Sequence, residues 1–270
     1  MDKLEKLRSI LKNMGSLLLA YSGGVDSAFL LRVSYEVLAD KALAVTAVSA
    51  TYPEEELESA KRIAVRIGAK HKIIKTVELK NRNFTDNSIN RCYFCKRELF
   101  SKLKKLAGKN RIRFVADASN SSDKEDFRPG NLARKELGIR SPLVEAGFSK
   151  DDIRRYSKKL GLVTWDKPSL ACLASRIPYG FKITPQVLQR IDKGELILRK
   201  IGFTQVRLRS YDGLCRIEVP EKEIPALLKN SKLVVERLKG LGYNYITVDL
   251  EGYRTGSMNP VRNARKEKLL

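Results

Sequence analysis

Apolar positions in the first half of the chain alternate between two spacings. Residues 2–14 place Leu4, Leu7, Ile10, Leu11 and Met14 at helical intervals, closed by Gly15. Leu17–Tyr21 is a short unbroken apolar run, which predicts a buried strand. Helical spacing returns over Ala28–Leu38, and a second apolar strand is predicted over Ala42–Val48. Pro53-Glu54-Glu55-Glu56 opens a helix that runs to Ile67 and stops at Gly68, with proline and acids in the first turn where the helix dipole favours them. Ile73–Val77 and Ile112–Ala116 read as third and fourth strands, with a helix over Cys92–Leu106 between them. This alternation predicts an α/β fold, a parallel sheet covered by helices on both faces. Ligands on such sheets sit beyond the carboxyl ends of the strands, where Ser22–Ser27, Ser49-Ala50-Thr51 and Asp117-Ala118-Ser119-Asn120 fall.

Past residue 117 the pattern changes. Residues 117–150 are rich in loop-formers, and Asp151–Leu160 is a helix ended by Gly161. A helix over Pro185–Ile201, strands over Gln205–Arg209 and Cys215–Val219, a helix over Ile224–Leu238 and a strand over Tyr245–Leu250 predict a smaller C-terminal α+β domain. The expected division is 1–165, a connecting loop 166–182, and 183–270.

Composition narrows the class only modestly. The chain has 270 residues, 43% of them hydrophobic, enough for one large or two moderate cores. Met1-Asp2-Lys3-Leu4-Glu5-Lys6 is charged and does not read as a signal peptide, and no apolar run approaches a membrane span, so cytoplasm is the expected location. The net charge of +22 is spread along the chain rather than gathered in a tail. It suits anionic small-molecule substrates and a solvated surface better than a dedicated nucleic-acid interface. His71 is the one histidine, which argues against a Ser-His-Asp triad or a histidine-rich metal site; it reads as peripheral.

Between the first strand and the next helix stands Ser22-Gly23-Gly24-Val25-Asp26-Ser27. Two glycines let the backbone approach an anion, successive N–H groups converge on it, and a helix N-terminus adds partial positive charge. Ser22 and Ser27 add hydroxyl donors. Asp26 makes sense beside phosphate only with a cation such as Mg²⁺ between them. The combination points to a nucleoside triphosphate whose pyrophosphate is held by Ser22, Gly23, Gly24, Asp26 and Ser27, with Ser49 and Asn120 at the same sheet edge; the likeness of the run to the loop of the pyrophosphatase-loop ATPases implies that the nucleotide is ATP. Neither G-x-x-x-x-G-K-[ST] nor G-x-G-x-x-G is present, so this is not the commoner phosphate loop.

Four cysteines are candidates for chemistry. Cys92 and Cys95 form C-x-x-C, a spacing that serves zinc, redox or cluster chemistry but equally two quietly packed thiols at a helix start. Cys172 lies in Pro168-Ser169-Leu170-Ala171-Cys172-Leu173-Ala174-Ser175-Arg176, a loop expected between the domains. Were the segment helical, Arg176 at i+4 would share the face of Cys172 and favour its thiolate, the nucleophilic form. A buried small residue between Ala171 and Leu173 is the alternative.

Ser22–Ser27, Arg91-Cys92-Tyr93-Phe94-Cys95-Lys96, Arg128-Pro129-Gly130, Pro168–Gly180 and Asp249–Asn259 together resemble the LarE-type, ATP-dependent sacrificial sulfur transferases, and the match runs nearly end to end. The first block is shared with other pyrophosphatase-loop ATPases, such as GMP and NAD synthetases and tRNA thiolases. The Cys172 and C-terminal blocks are far more specific. The resemblance implies a Rossmann-like pyrophosphatase-loop adenylation domain and a C-terminal domain for substrate and oligomerisation, with a homo-oligomer, a hexamer among the options. It implies that ATP and Mg²⁺ adenylate a carboxylate of a pyridinium dicarboxylate mononucleotide in nickel-pincer cofactor biosynthesis. Cys172 then takes the acyl group, and elimination leaves its sulfur on the product and dehydroalanine in the chain. Under this resemblance Arg176, Arg207 and Arg209 are candidate substrate ligands, and Glu195 and Glu218 join Asp26 as candidate metal ligands.

Some features depart from the family. Ser210-Tyr211 stands where histidines are frequent, and Cys215 where alanine is expected. Some relatives carry an iron–sulfur cluster as a renewable sulfur source. No other cysteine lies within twenty residues of Cys172, which favours the sacrificial route, though Cys92, Cys95 and Cys215 keep the cluster open. The rival readings are a tRNA thiolase working through a cysteine persulfide, an amide-forming ligase of the GMP or NAD synthetase type, and a nucleotide-binding regulatory protein without turnover.

Overall fold

Leu17, Leu18 and Leu19 are buried because their strand lies at the middle of a sheet. In the computed structural model, β1 (Leu17–Ala20) is flanked by β2 (Ala42–Val48) and β4 (Phe114–Ala116), with β3 (Lys70–Lys75) at the edge beyond β2. All pairings are parallel, in the order β3-β2-β1-β4. The structure describes residues 2–122, 129–168, 171–254 and 256–258. Arg128, Ser169, Leu170, Thr255 and Asn259, which belong to the blocks quoted above, lie outside the described residues.

The sheet alternation sends Leu17 and Leu19 to one face and Leu18 to the other. On the first face they meet Leu7 and Leu11 of α1 (Lys3–Met14), Phe29 and Val33 of α2 (Val25–Leu38), Ala60 and Ile63 of α3 (Glu54–Ile67), and Phe148. On the second, Leu18, Val45 and Val115 meet Phe100, Leu103 and Ala107 of α5 (Arg91–Lys109). The expected two-sided α/β sheet is present. Because successive strands are added on opposite sides of β1, the loop after β1 stands at the point where strand order reverses, the usual ligand position of such sheets.

Element ends differ from expectation for local reasons. The second helix begins at Val25 rather than Ala28, with Gly24 as its N-cap, so Asp26 and Ser27 are in its first turn. The third strand begins at Lys70, two residues after Gly68 closes α3 in the left-handed region, and not at Ile73. Its lysines hid it, yet lysine suits an edge strand. Residues 117–150 contain short helices α6 (Gly130–Glu136) and α7 (Pro142–Ala146), and α4 (Arg82–Thr85) precedes α5. The helix α8 (Lys150–Lys159) is fixed by a capping box between Ser149 and Asp152.

Two compact units are distinguished. One comprises Met1–Phe84 and Ile89–Leu170, the other Thr85–Ser88 and Ala171–Leu270. In the second, α9 (Pro185–Ile201) packs on a three-stranded sheet of order β5-β6-β7. Strands β5 (Arg207–Tyr211) and β6 (Leu214–Glu218) form an antiparallel hairpin around Asp212-Gly213, two residues later at β5 than expected, and β7 (Tyr245–Val248) runs parallel to β6. The helix expected over Ile224–Leu238 is broken at Asn230 into α10 (Ile224–Lys229) and α11 (Ser231–Lys239), and the Asn230 amide nitrogen donates back to the Ala226 carbonyl at 2.9 Å. Its core gathers Leu198, Phe203, Leu208, Ile217, Leu238 and Tyr243. Among the described residues no helix is long and apolar enough to cross a membrane.

Candidate active site

In the first unit the chain leaves β1 through Tyr21 and Ser22 and turns at Gly23, whose φ of +68° only glycine adopts readily. A Cβ on Gly23 would lie 2.7 Å from the Ala60 Cβ and 2.9 Å from its Cα, so the loop rests directly on α3. The Ser22 N–H donates to Ser27 Oγ at 3.3 Å, and the Ser27 hydroxyl donates to the Gly24 carbonyl at 3.2 Å. The two serine hydroxyls are 3.1 Å apart. Ser22, Gly23, Gly24 and Ser27 are thus assembled in one tight turn at the N-terminus of α2, a geometry suited to phosphate.

Neighbouring side chains brace this turn. The Tyr52 hydroxyl donates to the Ser22 carbonyl at 2.7 Å, and burial, reinforced by the Glu56 carboxylate, pushes its pKa well above the phenol range. The Thr46 hydroxyl donates to the Tyr21 carbonyl at 2.8 Å and stands 2.8 Å from His71 Nε2. Burial and then Lys61 lower the His71 pKa, favouring the neutral ring, whose Nε2–H donates to Thr46. The lone histidine therefore supports the strand below the loop. Ser49 sits at the same edge, where its hydroxyl and that of Thr51 both donate to the buried Glu78 carboxylate. Asn120 is buried, and its side-chain oxygen accepts the Ser122 N–H at 3.0 Å.

Two lysines that motif reading did not assign to the loop stand against it. Lys150 Nζ holds both Asp26 oxygens, at 2.9 and 2.7 Å. Lys167 Nζ donates to Glu56 at 2.7 Å, to Ser59 Oγ at 3.1 Å and to the Gly23 carbonyl at 3.5 Å. They come 124 and 144 residues after Asp26 and Gly23, beyond the range of any local motif.

Cys172, in the second unit, is exposed and precedes a turn of 3₁₀ helix over Leu173–Arg176. Arg176 was expected beside the thiol as a substrate ligand. Its side chain is instead fully buried and grips Glu195 with two bonds, at 2.8 and 3.0 Å. Its Nη1 donates to the carbonyls of Ala171 at 2.5 Å and Cys172 at 3.2 Å and to Ser175 Oγ at 3.1 Å. The segment forms a 3₁₀ turn rather than the α-helix that would put Arg176 on the thiol face, and the arginine fixes the backbone under Cys172. Burial raises the Glu195 pKa, but the charge and hydrogen bonds of Arg176, with the charge of Arg207 and the Leu208 N–H, together outweigh it and leave the pKa below its ordinary value.

Arg207 and Arg209 share one face of β5, as their alternation requires, and both are buried. Arg209 binds Glu218 through two bonds, at 2.9 and 2.6 Å, and donates to the Ser175 carbonyl at 3.1 Å. Glu218 also receives Arg216 and the Ser257 hydroxyl. Arg207 is opposite Glu218 in the hairpin register and stacks on Tyr253 at 5.2 Å. Burial, followed by repulsion from Arg176, lowers the Arg207 pKa. The cluster thus links the Cys172 turn to the hairpin through charged hydrogen bonds. Glu195 and Glu218 give their oxygens to arginines, so the metal role expected of them is not carried further. Among the described residues no group of three or more His, Cys, Asp or Glu side chains is arranged around a common metal position.

No protein-family model matches the chain. The chain is 35% identical over 258 residues to the pyridinium-3,5-bisthiocarboxylic acid mononucleotide synthase of Lactiplantibacillus plantarum, covering 95% of this chain and 94% of that protein. The chain belongs to the LarE-type sulfur transferase family. It is also 46% identical over 262 residues to an uncharacterised protein of Synechocystis sp., covering 96% of this chain and 98% of the relative. An uncharacterised Methanocaldococcus jannaschii protein is 28% identical over 258 residues, covering 94% and 98% respectively. The LarE-type assignment agrees with the parallel sheet and its serine-glycine loop. Among the four thiols Cys92 and Cys172 are exposed, whereas Cys215 is fully buried and burial pushes its pKa up to about 12.

Proposed function

We propose that this LarE-type chain is an ATP-dependent sulfur transferase acting on a pyridinium dicarboxylate mononucleotide, and that the sulfur it delivers is Sγ of Cys172. The observation that carries the reading is the 35% identity, along nearly the whole chain, to a synthase of the corresponding bisthiocarboxylate. The exposed Cys172 on an arginine-anchored turn supports it.

The first step is adenylation. A substrate carboxylate oxygen attacks the α-phosphorus of ATP, the bond from that phosphorus to the bridging oxygen breaks, and pyrophosphate leaves with the electron pair. In this reading the Gly23 and Gly24 N–H groups, the Ser22 and Ser27 hydroxyls and the α2 N-terminus hold phosphate oxygens, and the closeness of the two hydroxyls at the start of α2 supports it. Asp26 offers a hard carboxylate oxygen of the kind Mg²⁺ takes, and would hold the cation if the Lys150 ammonium, which is bonded to both Asp26 oxygens, gave up one of them. When bound, Mg²⁺ supplies charge neutralisation for the phosphates.

The thiolate of Cys172 next attacks the acyl carbon, the carbon–oxygen bond to AMP breaks, and a thioester forms. Loss of the Cα proton and cleavage of the Cβ–S bond then leave the sulfur, with its electron pair, on the product as a thiocarboxylate. Residue 172 becomes dehydroalanine. Arg176 holds the carbonyls of residues 171 and 172, so the thiol is presented from a fixed turn.

Intact-mass spectrometry before and after reaction with ATP and the dicarboxylate mononucleotide tests this. The expected result is loss of one hydrogen sulfide per chain, mapped to residue 172, in step with product. Stoichiometric product from a chain of unchanged mass would remove the sacrificial mechanism. Cys172→Ala is expected to release pyrophosphate still, and failure of that step would make Cys172 structural.

A further inference from the structure

The phosphate loop carries no cationic side chain of its own, and its Asp26 is negative. Lys150 donates to both carboxylate oxygens of Asp26. Lys167 is held differently. An ammonium has three N–H donors, and those of Lys167 face one oxygen of Glu56, the Ser59 hydroxyl and, at the longest distance, the carbonyl of Gly23. The weak 3.5 Å contact is therefore with the loop itself.

The backbone around this lysine is pinned. The Lys167 N–H donates to the Thr164 carbonyl at 3.1 Å, and Arg154 donates to the carbonyls of Trp165 at 2.9 Å and Lys167 at 3.1 Å. Glu56 and Ser59 both lie on α3, the helix on which Gly23 rests. The ammonium consequently occupies the seam between loop and helix with its position set in advance.

We propose that Lys167 is a catalytic residue of adenylation, its ammonium leaving the Gly23 carbonyl to bind the non-bridging oxygens of the departing diphosphate. This rests on the ATP-dependent reading above. As the bond from the α-phosphorus to the bridging oxygen breaks, the electron pair moves onto the diphosphate, and the Lys167 charge offsets it without proton transfer. A lysine suits this role as a compact point charge with rotatable donors. Placed where charge develops, it acts on the transition state more than on bound ATP.

The test compares Lys167→Met with Glu56→Gln. Both break the same ion pair, but only the first removes the positive charge at the loop. Single-turnover pyrophosphate release is expected to slow by about 10²-fold or more in Lys167→Met, with a smaller change in KM for ATP, and by about tenfold less than that in Glu56→Gln, which loosens the seat of the ammonium but keeps its charge. Binding of inorganic pyrophosphate, measured by calorimetry, should weaken about tenfold or more in Lys167→Met alone. Equal losses in both variants, or parental rates and binding in Lys167→Met, would overturn the proposal. Lys167→Gln gives the same comparison should the methionine variant not fold. The calorimetry needs no turnover. If the parent protein itself yields ADP and orthophosphate, the adenylation reading fails, whereas parental pyrophosphate release with an unaffected Lys167→Met sinks only the lysine's role.

Discussion

The Arg176–Glu195 pair gives the sharpest prediction about the second unit. Its side chains are 0% and 1% exposed. Arg176→Met leaves a buried carboxylate with its two bonds to Arg176 gone and the longer 3.5 Å pairing with Arg199 as its remaining salt bridge, and Glu195→Leu leaves a buried guanidinium. Removing one partner of such a pair costs about 3–5 kcal/mol. With a urea slope of about 2 kcal/mol per M, each single variant should lower the denaturation midpoint of this unit by about 1.5–2.5 M. Removing both charges should recover much of that loss. Residual cost comes from the Leu208 N–H, which donates to Glu195 at 3.1 Å, and from the carbonyls of Ala171 and Cys172. Such stranded groups cost about 1–3 kcal/mol each. Circular dichroism across a urea titration gives the midpoints, and hydrogen exchange at the Leu208 amide locates the change. The refolded double variant is expected to transfer sulfur poorly, since the turn under Cys172 has lost its anchor. Single variants within about 1 kcal/mol of the parent, or a double variant showing the full sum of both losses, would refute the reasoning.

Gly23→Ala must strain a φ of +68° and push against Ala60, so ATP affinity should fall about tenfold or more by calorimetry; unchanged affinity would mean the loop is not the phosphate site. A thiol reagent at pH 8 should label Cys92 and Cys172 in the native protein and reach Cys215 only after denaturation, because a thiol pushed up to about 12 and fully buried holds about one part in ten thousand as thiolate; peptide mapping reads the result, and Cys215 labelling at the rate of Cys172 would contradict it. Glu195 has its pKa lowered on folding, so its contribution is complete above the ordinary glutamate value and is lost as pH falls through the lower folded value. Chemical denaturation between pH 6 and pH 3 should show the second unit weakening on acidification, with a smaller slope in the variant lacking both Arg176 and Glu195.

The parallel sheet was legible because its strands are short apolar runs separated by capped helices, and the serine-glycine loop because its chemistry is contiguous. Lys70, His71 and Lys72 concealed the start of β3, since an edge strand need not bury alternate residues. Asn230 broke one amphipathic stretch into two helices by turning its side chain onto Ala226, a competition that periodicity does not register. At the site, Gly23 and Ser27 were found from spacing, whereas Lys150 and Lys167 reach the loop only through tertiary folding. Arg176 illustrates the reverse difficulty. Its nearness to Cys172 in sequence was evident, but its direction depended on Glu195, 19 residues away.

Thr85–Ser88 leave their sequence neighbours to join the unit that otherwise starts at Ala171. Asn87, at a φ of +54°, offers its amide nitrogen to the carbonyls of Ile177, Pro178 and Phe181. The Gly180 and Ile183 amides donate back to Asn87 and Thr85. A polypeptide started at Ala171 would be made without these four residues, and a proteolytic nick near Ser88 would sever a borrowed clasp rather than an idle connector. The two halves of the gene are therefore not interchangeable cassettes: a chimaera joined at a single point between Ser88 and Ala171 would take the clasp from one parent and the turn it fastens from the other.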